Sequence, residues 1–235
     1  MRKANRRPIG RVELRDVVLD LGSRRLNLRT LRRSDDELSS TVCCVMAPRE
    51  LCNINFLVRE RRGRVEPFDI VLHLPFAGGS TRRLDSFRRR EGLLGSEFSY
   101  DDLRVWLYED AHSYTTLDDG PGWVRLRGRC VTSLADVVRT GDAPFDLRLR
   151  EPDGFVTGID YHGPDGTGPR RRYRADRLTV VDGITVPQLM EMTDVVRGRS
   201  SRLHLESVRF TVDAPPRLFT GGTRGQVWQE LTELD

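Results

Sequence analysis

No window of this sequence approaches the roughly 18 consecutive apolar residues that a membrane-crossing helix requires. Hydrophobic residues make up 37% of the chain and mean hydropathy is −0.49, so a helical span is excluded. Cysteine is sparse: Cys43, Cys44, Cys52 and Cys130 form no Cys-x-x-Cys pair and have no histidine at ligand spacing, which argues against a structural metal. Cys43 and Cys44 are neighbours on a strand, so their side chains face opposite ways and cannot pair, and reduced buried thiols are expected. Lysine is nearly missing. Of 39 basic residues only Lys3 is a lysine, and with 35 acidic residues interspersed the net charge is +4. An arginine excess of that kind reflects a GC-rich genome before it reflects nucleic acid, and there is no basic helix. The triplets Arg88-Arg89-Arg90 and Arg170-Arg171-Arg172 could bind phosphate or anionic lipid, but are expected to be solvated loops.

The vocabulary of catalysis is missing as well. His73, His112, His162 and His204 are scattered, and no Gly-x-Ser-x-Gly, His-Glu-x-x-His or Ser-His-Asp arrangement occurs. His162 follows Tyr161 beside a Gly-Pro-Asp-Gly turn and is expected to be solvated; His73 and His204 lie on strands, as structural histidines do. Asp101-Asp102 and Asp118-Asp119 sit in turn contexts, and Gly78-Gly79 and Gly221-Gly222 lack the strand-to-helix setting of a phosphate loop. No catalytic residue, cofactor or metal is expected.

What the 235 residues do contain is alternation. Arg11 to Arg15 and Arg25 to Arg29 alternate around Gly22-Ser23, as a hairpin with one wet face does. Thr41 to Met46 is a continuous apolar run ending at Pro48, and Asn53 to Val58 opens the next strand. Phe68, Ile70, Leu72 and Leu74 share a face, and an Arg-rich strand follows Gly78-Gly79. Val105 to Tyr108 fits a short helix or a strand. Trp123 to Val131 is a strand opened by Asp119-Gly120-Pro121-Gly122, and Leu134 to Val138 a short helical insertion. Phe145, Leu147 and Leu149 alternate; Asp153-Gly154 and Asp165-Gly166 turn the chain twice; Asp182-Gly183 stands where a type I′ hairpin turn belongs. About ten such runs predict a mainly β protein: a single curved antiparallel sheet forming an incomplete, half-open β-barrel with a few short covering helices.

The most distinctive word is Leu94-Gly95-Ser96-Glu97-Phe98-Ser99-Tyr100-Asp101-Asp102-Leu103. Physically it is a loop entering one helical turn, with Ser99 as N-cap and Asp102 as the capping-box acid. This word resembles the signature of the LolA-like outer membrane lipoprotein-sorting family. The resemblance extends over residues 11–222: upstream through Phe68 to Pro75 and Arg82-Arg83-Leu84, downstream through Tyr173 to Asp176, Val181 to Pro187, Val208 to Phe210 and Leu218 to Thr220. It implies a strongly curved open barrel that holds a lipid or acyl chain on its concave face under helical covers. Residues 1–10 are then a basic tail and 223–235 a C-terminal tail or short helix. The chain departs from the family in lacking a leading helix, and in carrying Cys52-Asn53 where relatives tend to have Gly-Thr.

An apolar guest needs a water-excluding concave wall. The aromatic, leucine and methionine positions expected to line it are Phe56, Leu72, Leu74, Tyr108, Met190, Met192, Leu205 and Phe210, with Met190 and Met192 on one strand face the preferred pair. The expected function is a non-catalytic carrier of a lipid, lipoprotein acyl chain or other hydrophobic ligand, working with a membrane transporter or acceptor protein and without nucleic acid. The alternative is a cytoplasmic enzyme or chaperone that uses the same cavity on a polyketide- or terpenoid-like metabolite. The family points to the cell envelope. The first ten residues have the charge of an export signal without its apolar core, so a start at Met1 points to the cytoplasm.

Overall fold

The computed structural model describes residues 12–61, 69–76, 79–85, 88–103, 112–130, 144–151, 153–163, 168–220 and 224–234. Their strands are β1 (Val12–Asp20), β2 (Arg25–Ser34), β3 (Leu38–Ala47), β4 (Asn55–Arg61), β5 (Asp69–Leu74), β6 (Ser80–Arg83), β7 (His112–Gly120), β8 (Trp123–Cys130), β9 (Phe145–Arg150), β10 (Phe155–His162), β11 (Pro169–Val181), β12 (Ile184–Asp194) and β13 (Arg199–Phe210). One α-helix, α1 (Val227–Thr232), and several 3-10 turns complete the described elements. All thirteen strands belong to one sheet, in the order β6-β5-β4-β3-β2-β1-β13-β12-β11-β10-β9-β8-β7. Every neighbouring pair is antiparallel.

The topology is two meanders, β1–β6 and β7–β13, zipped together where β1 pairs with β13. The sheet does not close: β6 and β7 are its edges. The chain must therefore travel from one edge to the other between residues 84 and 111, and residues 93–103 of that connection pack on one face of the sheet. That face is the concave one. Its core joins Val17, Leu19, Leu26, Leu28, Cys43, Val45, Phe56, Val58, Ile70, Leu72 and Met192 to Leu84, Leu93, Phe98 and Tyr100 of the connection. Tyr161 and Tyr173 carry it on to a smaller cluster of Phe145, Leu147, Leu149 and Ile159.

The outer face is divided. Over β1–β4 the C-terminal segment folds back, and Leu218, Phe219, Val227 and Leu231 bury Leu14, Leu31, Val42, Cys44 and Leu57. Arg29 secures this strap by donating to Leu231 O at 2.8 Å while paired with Asp16 at 2.7 Å. The outer face of the β1–β2 hairpin is thus buried at Leu14 and Leu31 by residues some 200 positions later, and stays wet at Arg25, Asn27 and Arg33 as its alternation suggests. Over β8–β11 the outer face is a lattice of charge: Arg127 with Asp146 at 2.7 Å, and Arg172 and Arg174 with Asp160 at 3.0 and 2.9 Å.

Several sequence expectations are corrected. The described residues form thirteen strands, not about ten, and β7 has no apolar alternation because, apart from Tyr114 against Phe145, its described side chains are largely exposed. Residues 170–172 are not a loop but the start of β11, with Arg171 directed inward and Arg172 outward. His162 is not solvated: its ring is nine-tenths covered, with Nε2 3.1 Å from Asp146 Oδ2. Cys43 and Cys44 do face opposite cores, and Asp182 and Gly183, with φ of 50° and 77°, form the type I′ turn. Tyr108, Val105 to Tyr108 as a segment, Leu134 to Val138, Asp165-Gly166 and the 1–10 tail lie outside the described residues.

Candidate functional site

Strand register places the inner-facing residues in layers. Toward the rim made by the β1–β2, β3–β4, β5–β6 and β12–β13 turns the layers are apolar. Leu19 pairs with Leu26 and Leu203, Val17 with Leu28 and Leu205, Phe56 with Cys43 and Leu72, Met190 with Leu203, and Met192 with Tyr173. Toward the opposite rim the same face becomes polar: Glu13 pairs with Arg32 and Phe210, Arg32 with Thr41, and Ser39 with Ser34 and Glu60. Glu13, Ser34, Ser39, Thr41 and Glu60 are all buried there. The Glu13–Arg15 pair, the Ser34–Ser39 hydroxyl contact at 2.9 Å and the Arg32-to-Thr41 bond at 3.0 Å satisfy part of this layer. The inner face is therefore greasy at one end and hydrogen-bonding at the other.

Residues 88–103 close the greasy end. Gly92 bridges Ser99, Leu93 N donates to Phe98 O at 2.6 Å, and Leu94 takes a left-handed φ of 53°, a tight knot that drives Leu93, Phe98 and Tyr100 into the wall. Tyr100 meets Phe56 edge-on, with centroids 5.5 Å apart and planes at 85°. Its burial pushes the phenol pKa up, and burial does the same to the Cys43 thiol beneath it.

The cover is held by polar contacts at its margin. Asp102 Oδ2 accepts from Ser99 N at 2.6 Å and Ser99 Oγ at 2.8 Å, the capping arrangement expected from the sequence. The same oxygen accepts from Arg171 at 2.6 Å, and Tyr161 donates its hydroxyl to Asp102 Oδ1 at 3.3 Å. The Arg171 guanidinium lies 5.2 Å from the Tyr161 ring centroid and also donates to Glu97 O at 2.9 Å. Ser201 Oγ accepts from Glu97 N at 3.1 Å, Arg199 pairs with the Glu97 carboxylate at 2.8 Å, and Arg24 donates to Leu94 O at 3.1 Å. Four elements of the barrel thus grip eleven residues of cover.

Of the wall residues expected from sequence, Phe56, Leu72 and Met192 lie in the concave core, fully covered by the knot and its neighbours; Leu74, Met190 and Leu205 lie on the same face, half-buried. Phe210 is buried on the inner face but beside Glu13, in the polar layer. Sequence reasoning missed Tyr161, Tyr173 and Leu203 as wall residues, although each alternates correctly on its strand, and missed that the signature word is itself the cover. His73 is engaged with Thr81, Nδ1 to Oγ1 at 3.0 Å. Among the described residues no group of three or more His, Cys, Asp or Glu could hold a metal ion. On the outer face a separate recess of about 400 Å³ lies beneath the end of α1, lined by Asp16, Val18, Asn27, Arg29, Met46, Glu206 and Thr232; its charged centre is already neutralised by the Arg29–Asp16 pair.

Neither the protein-family models nor the curated proteins contain a match to the sequence. Solved structures do match. A structure described as an outer membrane lipoprotein-sorting protein domain from Vibrio parahaemolyticus superposes with a TM-score of 0.80 over 95% of this chain and 94% of its own, at 17% identity. A DUF1329 family protein from Desulfovibrio piger gives 0.78, covering 100% of this chain and 95% of its own at 15% identity. A LolA superfamily protein from Nitrosomonas europaea gives 0.65, covering 93% and 94% at 12% identity. The fold is an open, single-sheet β half-barrel. More narrowly, it is the LolA-like fold that the signature word resembles.

Proposed function

We propose that this protein is a carrier that holds a lipid, an acyl chain or another hydrophobic ligand against its concave face. The supporting observation is the covered, contiguous apolar wall running from β5 through β13, with Met190, Leu203, Leu205 and Tyr173 half-buried beside a cover that is anchored by Leu93, Phe98 and Tyr100 and held at its margin by polar contacts. The polar margin suits a cover that lifts, because contacts of this kind exchange for water at small net cost; the apolar anchors leave only when a guest takes their place. A guest would displace Leu93, Phe98 and Tyr100 and replace their contacts with its own, so that little apolar surface meets water at either stage. The fold neighbour described as lipoprotein-sorting makes a lipid-bearing cargo the leading ligand class and the cell envelope the leading compartment, with a membrane transporter or acceptor as donor and recipient.

Native mass spectrometry of the protein taken from its own host tests this. A co-purified acyl lipid supports carriage. Protein that arrives empty, and in which Asp102→Asn fails to raise the uptake of a fluorescent fatty acid, overturns it.

A further inference from the structure

The two rims of the half-barrel differ in chemistry. At the rim where the cover sits, the described turns present three large apolar side chains to water: Val196 at 73% exposure, Phe76 at 63% and Val195 at 40%. They come from two turns, β5–β6 and β12–β13, on opposite sides of β1, and they share the rim with Arg24, Arg25, Arg49, Arg170, Arg197 and Arg199, all exposed. Three acids at this end are drawn in, while Glu50 beside Arg49 stays exposed. Asp20 accepts from Arg25, Asp194 from Arg197 and Glu97 from Arg199, and in each pair the carboxylate is the more buried partner, so arginine is what faces out. The described turns and strand ends of the opposite rim carry the exposed acids Asp35, Asp36, Glu37, Asp182 and Glu151 beside Arg33, Arg61 and Arg177, and they too expose apolar side chains, Val180 at 63% and Leu38 at 36%, so the rims differ in the balance of charge rather than in apolar exposure.

We infer that the cover-bearing rim docks on an anionic lipid surface, with Phe76, Val195 and Val196 entering the headgroup layer and the surrounding arginines meeting phosphate. Protruding apolar side chains ringed by cations match an interface that is negative outside and greasy beneath, and the exposed acids of the far rim's described turns are repelled by it, which favours one orientation. A nucleic acid would use the arginines but has no place for Val196 and Phe76. The inference stands apart from carriage, since an empty barrel would dock equally well. Docking also brings lipid phosphate to Arg199 and Arg24, two of the residues that grip the cover.

The test is co-sedimentation of the full chain with phosphatidylcholine vesicles with and without phosphatidylglycerol. Binding is expected only to the anionic vesicles and should fade as salt shortens the Debye length. R49E/R197E, which leaves the cover's own contacts intact, should weaken it at least about tenfold, and F76S/V196S should weaken it at unchanged charge. D36K/E37K on the far rim should not weaken it. Circular dichroism melts verify that each variant is folded. Equal binding to neutral vesicles, no binding to either, insensitivity to F76S/V196S, or tighter binding to a short RNA than to anionic vesicles would each overturn the inference.

Discussion

Asp102 does two jobs with one carboxylate: it caps the turn that begins at Ser99 and it receives Arg171 and Tyr161 from the barrel wall. Asp102→Asn keeps the shape but removes the charge from the Arg171 contact, and a single partly exposed ion pair is worth up to about 1 kcal/mol. We expect a melting temperature only slightly lowered, with faster hydrogen exchange at residues 93–103 and stronger uptake of an apolar fluorophore. Phe56 is the contrasting case. It is fully buried against Tyr100, so Phe56→Ala should cost about 3–5 kcal/mol in denaturant unfolding. Asp153 supplies a pH dependence. The Arg150 guanidinium, with help from Thr185 at 2.8 Å and Phe155 N at 3.1 Å, holds its pKa at about 2. A carboxyl depressed in the folded state adds stability above its unfolded pKa of about 4 and loses it as pH falls toward about 2. Wild type should therefore exceed Asp153→Asn in stability at neutral pH, and the gap should close across that acid window; a gap independent of pH would contradict the assignment.

At the scale of elements, the C-terminal strap and the edge strand each carry a prediction. Removing residues 224–235 strips Val227 and Leu231 from the outer core and leaves Arg29 without its carbonyl partner at Leu231, so the truncated chain should be markedly destabilised and bind the dye ANS. The edge β7 is nine residues long, and among the described residues its outer side has no partner strand. A bulge at Leu117 and the acids Asp118 and Asp119 blunt it. Asp118→Val with Asp119→Val should raise aggregation measured by light scattering, with little change in the monomer's circular dichroism.

For the whole molecule, a long one-sheet meander whose edges, among the described residues, are β6 and β7 leaves the chain few routes between them, and residues 93–103 of the route it takes cover the inner face. That explains why the signature word could be read in advance as a capped turn but not as a lid. Ser99 and Asp102 are three apart and cap locally, whereas Arg171 and Tyr161 lie 69 and 59 residues from Asp102. The wall was partly legible for the same reason: Met190 and Met192 share a face because a strand has a period of two. Which face became concave, and that the polar layer of Glu13, Arg15, Arg32 and Glu60 sits on it, follows from cross-strand register, which no single strand encodes.

By itself, the amino-acid order determined most of the strands, the Asp-Gly turn at 182–183, the opposite facing of Cys43 and Cys44, and the class of fold, because these depend on alternation and turn chemistry within a few residues. Only the tertiary structure decided that the outer face of the β1–β2 hairpin is buried at Leu14 and Leu31, that Arg171 turns inward, and that arginine prevails at the described turns of one rim and acids at those of the other. Each of those outcomes is set by residues distant in the chain meeting across the sheet, where burial and charge pairing are decided by neighbours in space.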